Sequence, residues 1–201
     1  MPVEKRTRRA GGRKRLTVLD TVIEVLADRG YEGTRFADVS AASGTAVSTL
    51  QNYFGSREDM LIEALQRSTN QEVEALAELA AAHADPWERL VALIDRSLGN
   101  PEPVQRTLLE FWRSAMRDEE LREHSVEVNR RYRQPFLAAV QEGCDTGLFR
   151  PEHRPSDVVD FLLAILAGLI IPRVLHQGGA APEDFRSLLL SQLGSALGRR
   201  D

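Results

Sequence analysis

Between Ala46 and Tyr53 the chain carries Ser48, Thr49, Gln51 and Asn52, short uncharged side chains that donate and accept hydrogen bonds close to the backbone. A solvated helix face would carry Glu and Lys instead. Groups of this kind suit the base edges of a major groove. A second cluster, Glu120, Glu123, His124 and Glu127, recurs at i, i+3, i+4 and i+7 and so shares one helical face. It could hold a cation, but a salt-laced surface is the reading adopted. His83, His153 and His176 fall in other segments, and Cys144 has no paired histidine nearby. Gly11-Gly12 and Gly178-Gly179 read as linkers rather than phosphate-cradling loops. No catalytic residue, metal site or cofactor is therefore expected.

Charge is distributed unevenly around the polar segment. The net charge of the 201 residues is −4, yet residues 1–57 hold ten Lys and Arg against six Asp and Glu, a balance of +4. The rest of the chain is at −8. A basic end on an acidic body points to one end that meets a polyanion. Apolar residues make up 42% and charged residues 28%, an ordinary globular balance. A single cysteine excludes an internal disulfide framework. The charged start has no apolar signal-peptide core, and the greasiest run, Val158 to Ile171, is too short to span a bilayer. A cytoplasmic protein with no membrane partner is expected.

The elements that must position these groups read as helices throughout. Residues 1–12 form a basic arm. A first helix begins at Arg13, carries Leu16, Leu19, Val22, Ile23 and Leu26 toward a core, and stops at Gly30. Thr34 is expected to cap a second helix over Arg35–Ala42, and Thr45 a third over Ala46–Tyr53, with Ser43-Gly44-Thr45 as the tight turn between them. Ser56 caps a fourth helix that runs to about Ala82, and Asp85-Pro86 opens a fifth. A sixth follows Pro103, and a seventh spans Glu119–Asp145 with Pro135 inside it. An eighth spans Ser156–Gln177 with a kink at Pro172, and a ninth runs from Pro182 to about Arg199. No segment alternates with period 2. The expected fold is all-α with about nine helices: the arm, a three-helix helix-turn-helix domain over 13–57, and a helical domain over 58–201.

The eighth helix is apolar nearly all round and must be buried on every side. The ninth adds Phe185, Leu189, Leu193 and Leu197 at i, i+4, i+8 and i+12. With Leu162, Leu166 and Leu169 these are the candidate dimerisation residues. A twofold dimer would present two reading helices about 34–36 Å apart and would imply a palindromic DNA site.

The run from Gly33 to Leu61 resembles the tetracycline-repressor family. Its landmarks are Gly30, Tyr31, Thr34, Val39, Gly44, Leu50, Tyr53, Phe54, Ser56, Glu58 and Leu61. Gln51 stands where that family usually has a tyrosine, and Arg57 where it has lysine. Phe111-Trp112 and the Gly143–Phe149 turn resemble the betaine-regulator branch. The resemblance implies a ligand-responsive DNA-binding regulator, a repressor acting as a homodimer on double-stranded DNA. It implies phosphate contacts from Thr34, Tyr53 and Arg57, and backbone or mixed contacts from Thr49 and Asn52. Base-edge candidates are Arg35, Val47, Ser48 and Gln51, while Arg6, Arg8, Arg9 and Arg13 of the arm would enter the minor groove or hold phosphates. It further implies a pocket for a small, largely apolar effector, with Phe111, Trp112, Met116, Tyr132, Phe136 and Phe161 as walls and Arg113, Asn129 and His176 as polar candidates. The alternatives are a helical small-molecule carrier with little DNA affinity, or an activator on the same fold.

Overall fold

The computed structural model describes residues 12–178 and 182–199. Ten helical segments follow one another in that range: α1 (Arg13–Gly33), α2 (Phe36–Ser43), α3 (Val47–Phe54), α4 (Arg57–Ala81), α5 (Pro86–Leu98), α6 (Glu102–Ala115), α7 (Glu119–Asp145), α8 (Pro155–Gly168), α9 (Ile170–Val174) and α10 (Pro182–Ala196). No strand occurs among the described residues. Arg6, Arg8 and Arg9 of the expected arm lie outside them.

Two compact units share the chain. The first comprises the described residues up to Gln71 together with Arg106–Ser125; the second comprises Glu72–Gln105 and the described residues from Val126 onward. The helices α4, α6 and α7 therefore contribute to both. In the first unit, Val18, Leu19, Val22 and Leu26 of α1 pack with Val39 of α2 and with Leu50 and Phe54 of α3. Met60, Leu61 and Leu65 of α4 join them, as does Phe111 of α6. Helix α1 breaks at Gly30, whose φ is 72°. Gly44 ends α2 at φ 65°, a left-handed conformation that glycine adopts without a Cβ penalty, and its N–H donates to Ser40 O.

Local sequence explains some helix starts and tertiary burial the others. Ser56 Oγ accepts from Asp59 N at 3.0 Å and donates to Asp59 Oδ2 at 2.7 Å, which closes the first turn of α4. Asp85 Oδ1 accepts from Trp87 N and Glu88 N at the start of α5. The expected caps Thr34 and Thr45 do not act as caps. Arg35 and Ala46 occupy those positions, and both threonines are buried. The Thr34 hydroxyl turns back to donate to Gly30 O at 2.8 Å. The start of α2 is instead secured by Asp38, whose Oδ2 accepts from Arg35 N.

The second unit is built around Leu76, Leu90, Leu93, Phe136, Val140, Phe149, Val158, Leu162, Leu189 and Leu193. The expected kink in the eighth helix lies at Leu169 rather than at Pro172, and it separates α8 from a short α9. Pro172 has no N–H to offer the carbonyl four residues earlier, so the helix loses its ladder one turn upstream of the ring. Gly143 makes a close approach possible: a Cβ there would sit 2.0 Å from Phe149 Cδ2.

Candidate functional site

Helix α3 is held from one side only. Leu50 is fully buried and Phe54 nearly so, and they anchor the helix to α1 and α4. One face is left for solvent. Val47, Ser48, Gln51 and Asn52, at i, i+1, i+4 and i+5, are all exposed along it. Thr49 and Tyr53 flank this face half-buried, and Arg35 is exposed just ahead of α2. Arg13 and Lys14 are exposed at the start of α1, so the same unit offers amide and hydroxyl groups on α3 and exposed cations on α1 and ahead of α2. Such a surface can hydrogen-bond base edges while its cations offset phosphate charge.

Two expected phosphate contacts are placed elsewhere. Thr34 has no accessible surface. Arg57 turns inward: its Nε donates to Thr34 O at 2.6 Å, a terminal nitrogen donates to Tyr31 O, and its guanidinium lies 5.3 Å from the Tyr31 ring centre. An arginine here can satisfy two carbonyls of the α1–α2 junction at once, because its fork carries several donors in one plane.

Sequence reading did not single out Arg15. It is 6% exposed, and its guanidinium meets Glu63 of α4 through two hydrogen bonds of 2.5 Å each. Nε donates to Tyr53 O at 3.4 Å, and the group lies 4.8 Å from the Phe54 ring centre. The signal was available: Arg15 falls on the same face as Leu19, Val22 and Leu26, at i, i+4, i+7 and i+11.

Of the six expected pocket walls, Phe111, Trp112 and Met116 fall in the first unit and Tyr132, Phe136 and Phe161 in the second. Phe111 belongs to the core of the first unit, edge-on to the His124 ring at 5.9 Å. Trp112 is 38% exposed and Met116 74%. Tyr132 and Phe136 do meet in the second unit, with ring centres 5.8 Å apart, and the Tyr132 hydroxyl lies 2.7 Å from Ser97 Oγ. Burial pushes the Tyr132 phenol above its ordinary range. Phe161 points outward and is 63% exposed. Of the polar candidates, Arg113 pairs with Glu110, His176 lies 3.9 Å from Glu102, and Asn129 is exposed.

Of the candidate dimerisation residues, Leu162, Leu166, Leu189, Leu193 and Leu197 are buried in the core of the second unit, Phe185 is half-buried against it, and Leu169 is half-buried at the break after α8. An apolar groove of about 260 Å³ opens between α8 and α10: Phe161 and Ile165 of α8 and Phe185 and Leu188 of α10 line it, as do Leu162, Leu189 and Leu193, with Gln192 and Ala196 at its edge. Leu188 is 58% exposed.

The acidic face of α7 is engaged in protein contacts. His124 Nε2 lies 2.9 Å from Thr69 Oγ1, Glu120 accepts from Gln66, and Glu127 accepts from Arg130. Among the described residues no three potential metal ligands are grouped, and no helix is long and apolar enough to cross a membrane.

A helix-turn-helix with an outward polar face on its second helix defines a DNA-binding transcriptional regulator. Residues 18–64 match the profile of bacterial regulatory proteins of the tetR family, and residues 86–198 that of BetI-type transcriptional repressor C-terminal domains. The chain belongs to the tetracycline-repressor family, with a BetI-type C-terminal part. It is 27% identical over 166 residues to the HTH-type transcriptional regulator BetI of Rhizobium meliloti, covering 81% of this chain and 78% of that one. A transcriptional regulator from Saccharomonospora viridis, solved in complex with choline, shares the fold with a TM-score of 0.83 at 24% identity, over 92% of this chain and 97% of that one. The regulator FadR from Bacillus subtilis, solved with stearoyl-CoA, shares it with a TM-score of 0.70 at 20% identity, over 90% and 98%.

Proposed function

We propose that the chain is a homodimeric repressor that reads a palindromic operator through the exposed face of α3 and leaves it when a small effector binds. The observation that carries this reading is the face made by Val47, Ser48, Gln51 and Asn52, kept outward by the burial of Leu50 and Phe54. Gln51 is suited to a bidentate pair with adenine, Arg35 to guanine, and Val47 to the methyl of thymine. Thr49, Asn52 and Tyr53 serve the backbone alongside them. Residues 13–57 carry the helices that read DNA, packed in a unit that also takes in α4 to Gln71 and Arg106–Ser125; the remainder of residues 58–201 carries effector binding and dimerisation, and residues 1–12 enter the minor groove or hold phosphates. No catalytic step is assigned, and the protein works in the cytoplasm where its DNA is.

The dimer forms across Phe161, Ile165, Phe185 and Leu188. A groove of this size lined by apolar groups is costly to leave in water, and a twofold axis lets the same patch cover itself. The effector is small and largely apolar. Two fold relatives were solved with choline and with stearoyl-CoA. Tyr132 and Phe136, with Ser97 beside them, are the part of the expected pocket wall that meets within one unit. In a ligand-linked equilibrium, an effector that prefers the conformer with wrongly spaced reading helices lowers DNA affinity by its differential affinity.

Selection of bound duplexes from a random pool, followed by a screen for small molecules that release them, tests the proposal. Recovery of an inverted repeat and its release by a ligand supports it. Tight ligand binding with no duplex affinity at low salt overturns it in favour of a helical carrier.

A further inference from the structure

We propose that Arg15, held by Glu63, is a positioning residue for DNA reading: it sets the tilt of α3 without touching DNA. The inference rests on the assignment of α3 as the reading helix. Arg15 belongs to the basic N-terminal stretch, where an arginine would ordinarily be counted as a phosphate contact. Its burial removes it from that role, since only 6% of the residue remains accessible. Taking a guanidinium out of water is costly unless its donors and charge are matched. Here they are matched on several sides. Glu63 of α4 accepts two parallel bonds of 2.5 Å, Tyr53 O accepts from Nε at 3.4 Å, and the Phe54 ring lies face-on at 4.8 Å.

Two of those partners, Tyr53 O and the Phe54 ring, are the last two residues of α3. The helix has only eight residues, barely two turns. Its last carbonyls have no partners within the helix, and a cation at that end is favoured by the helix dipole. Arg15 therefore joins the end of α3 to α1 and, through Glu63, to α4. Leu50 and Phe54 supply apolar contact, which tolerates sliding; the planar fork on Glu63 does not. Base reading by Gln51 requires bidentate geometry, so a small change in helix tilt would reduce discrimination between sequences while leaving general attraction to phosphate intact.

The test compares the full-length wild type with Glu63→Gln, Arg15→Lys and the double variant Arg15→Met/Glu63→Leu. Each is titrated with the operator selected by the wild type and with a scrambled duplex of equal length, over a range of salt concentrations, alongside thermal unfolding. Preference for operator over scrambled duplex is expected to fall about tenfold in each variant, within the range for one lost bidentate base contact. Binding to the scrambled duplex and its salt slope should match the wild type. The double variant removes both charges and should fold, yet it should not regain the preference. Preference within twofold of wild type in a folded variant overturns the proposal. So does a drop of about 0.9 in salt slope in the double variant, which would place Arg15 on a phosphate. Loss of folding in all three assigns the pair to the core alone and also overturns it. A wild type with no duplex preference, or an undiminished preference in Gln51→Ala, refutes the reading head itself, a result distinct from any of these.

Discussion

Removing the outward apolar residues of α8 and α10 should dissociate the proposed dimer without unfolding the chain. Phe161 is 63% exposed in the single chain and Leu188 58%. Fully burying a phenylalanine or leucine side chain is worth about 1.5–3 kcal/mol, so the exposed share of each contributes about 1–2 kcal/mol when a partner covers it. A twofold interface counts each side chain twice. The double variant Phe161→Ala/Leu188→Ala then loses about 4–8 kcal/mol of association free energy, or about three to six powers of ten in dimer Kd. Sedimentation equilibrium from nanomolar to micromolar protein reads this directly, and full-site operator binding should weaken with it. Leu90→Ala is the control. Its side chain is fully buried in the core of the second unit and is not part of the groove, so it should lower unfolding stability by about 2–5 kcal/mol and leave association unchanged. A double variant that still sediments as a wild-type-strength dimer, or a Leu90→Ala protein that dissociates in the folded state, would refute the assignment of the outward face.

Gly143→Ala should destabilise the fold by about 3 kcal/mol, seen as a lower denaturant midpoint, because its Cβ would meet Phe149 Cδ2 at 2.0 Å. Gln51→Ala should cost about 1–3 kcal/mol of operator discrimination with no change in melting temperature. Arg57→Ala should do the reverse: it leaves the carbonyls of Thr34 and Tyr31 without their donor, so the melting temperature falls, while the salt slope of DNA binding holds. Burial raises the Tyr132 phenol above its ordinary value of about 10, so the unfolded chain releases this proton first as pH rises. Its contribution to stability is complete below about pH 10 and is lost as pH climbs through the folded value. Alkaline unfolding of Tyr132→Phe should lack that component.

Much of the fold was legible because helix signals are local. Ser56 and Asp85 cap where the sequence places them, since each reaches amides two or three residues away. Thr34 and Thr45 carry the same capping chemistry but were overruled by burial, which sent the Thr34 hydroxyl back to Gly30 O. The outward face of α3 was legible from residue type alone. The outward groove was less so: on a helix apolar nearly all round, spacing identifies a stripe but not how much of it turns inward. Leu162, Leu189 and Leu193 are buried in the core and also line the groove, and Phe161, expected in a pocket wall, lies exposed at it. Arg15 was hidden by its company, one more cation in a basic run, with its carboxylate partner 48 positions downstream.

Helix α4 contributes Met60, Leu61, Ile62, Ala64 and Leu65 to the core of the first unit, together with Phe111 and Leu121 from later in the chain. Anyone grafting this reading head onto a different sensor thus faces a discontinuous module. A splice after Arg57 would strip away half of its interior and Glu63 besides. A transplant that keeps its footing must carry the chain through Gln71 and bring the stretch Arg106–Ser125 with it.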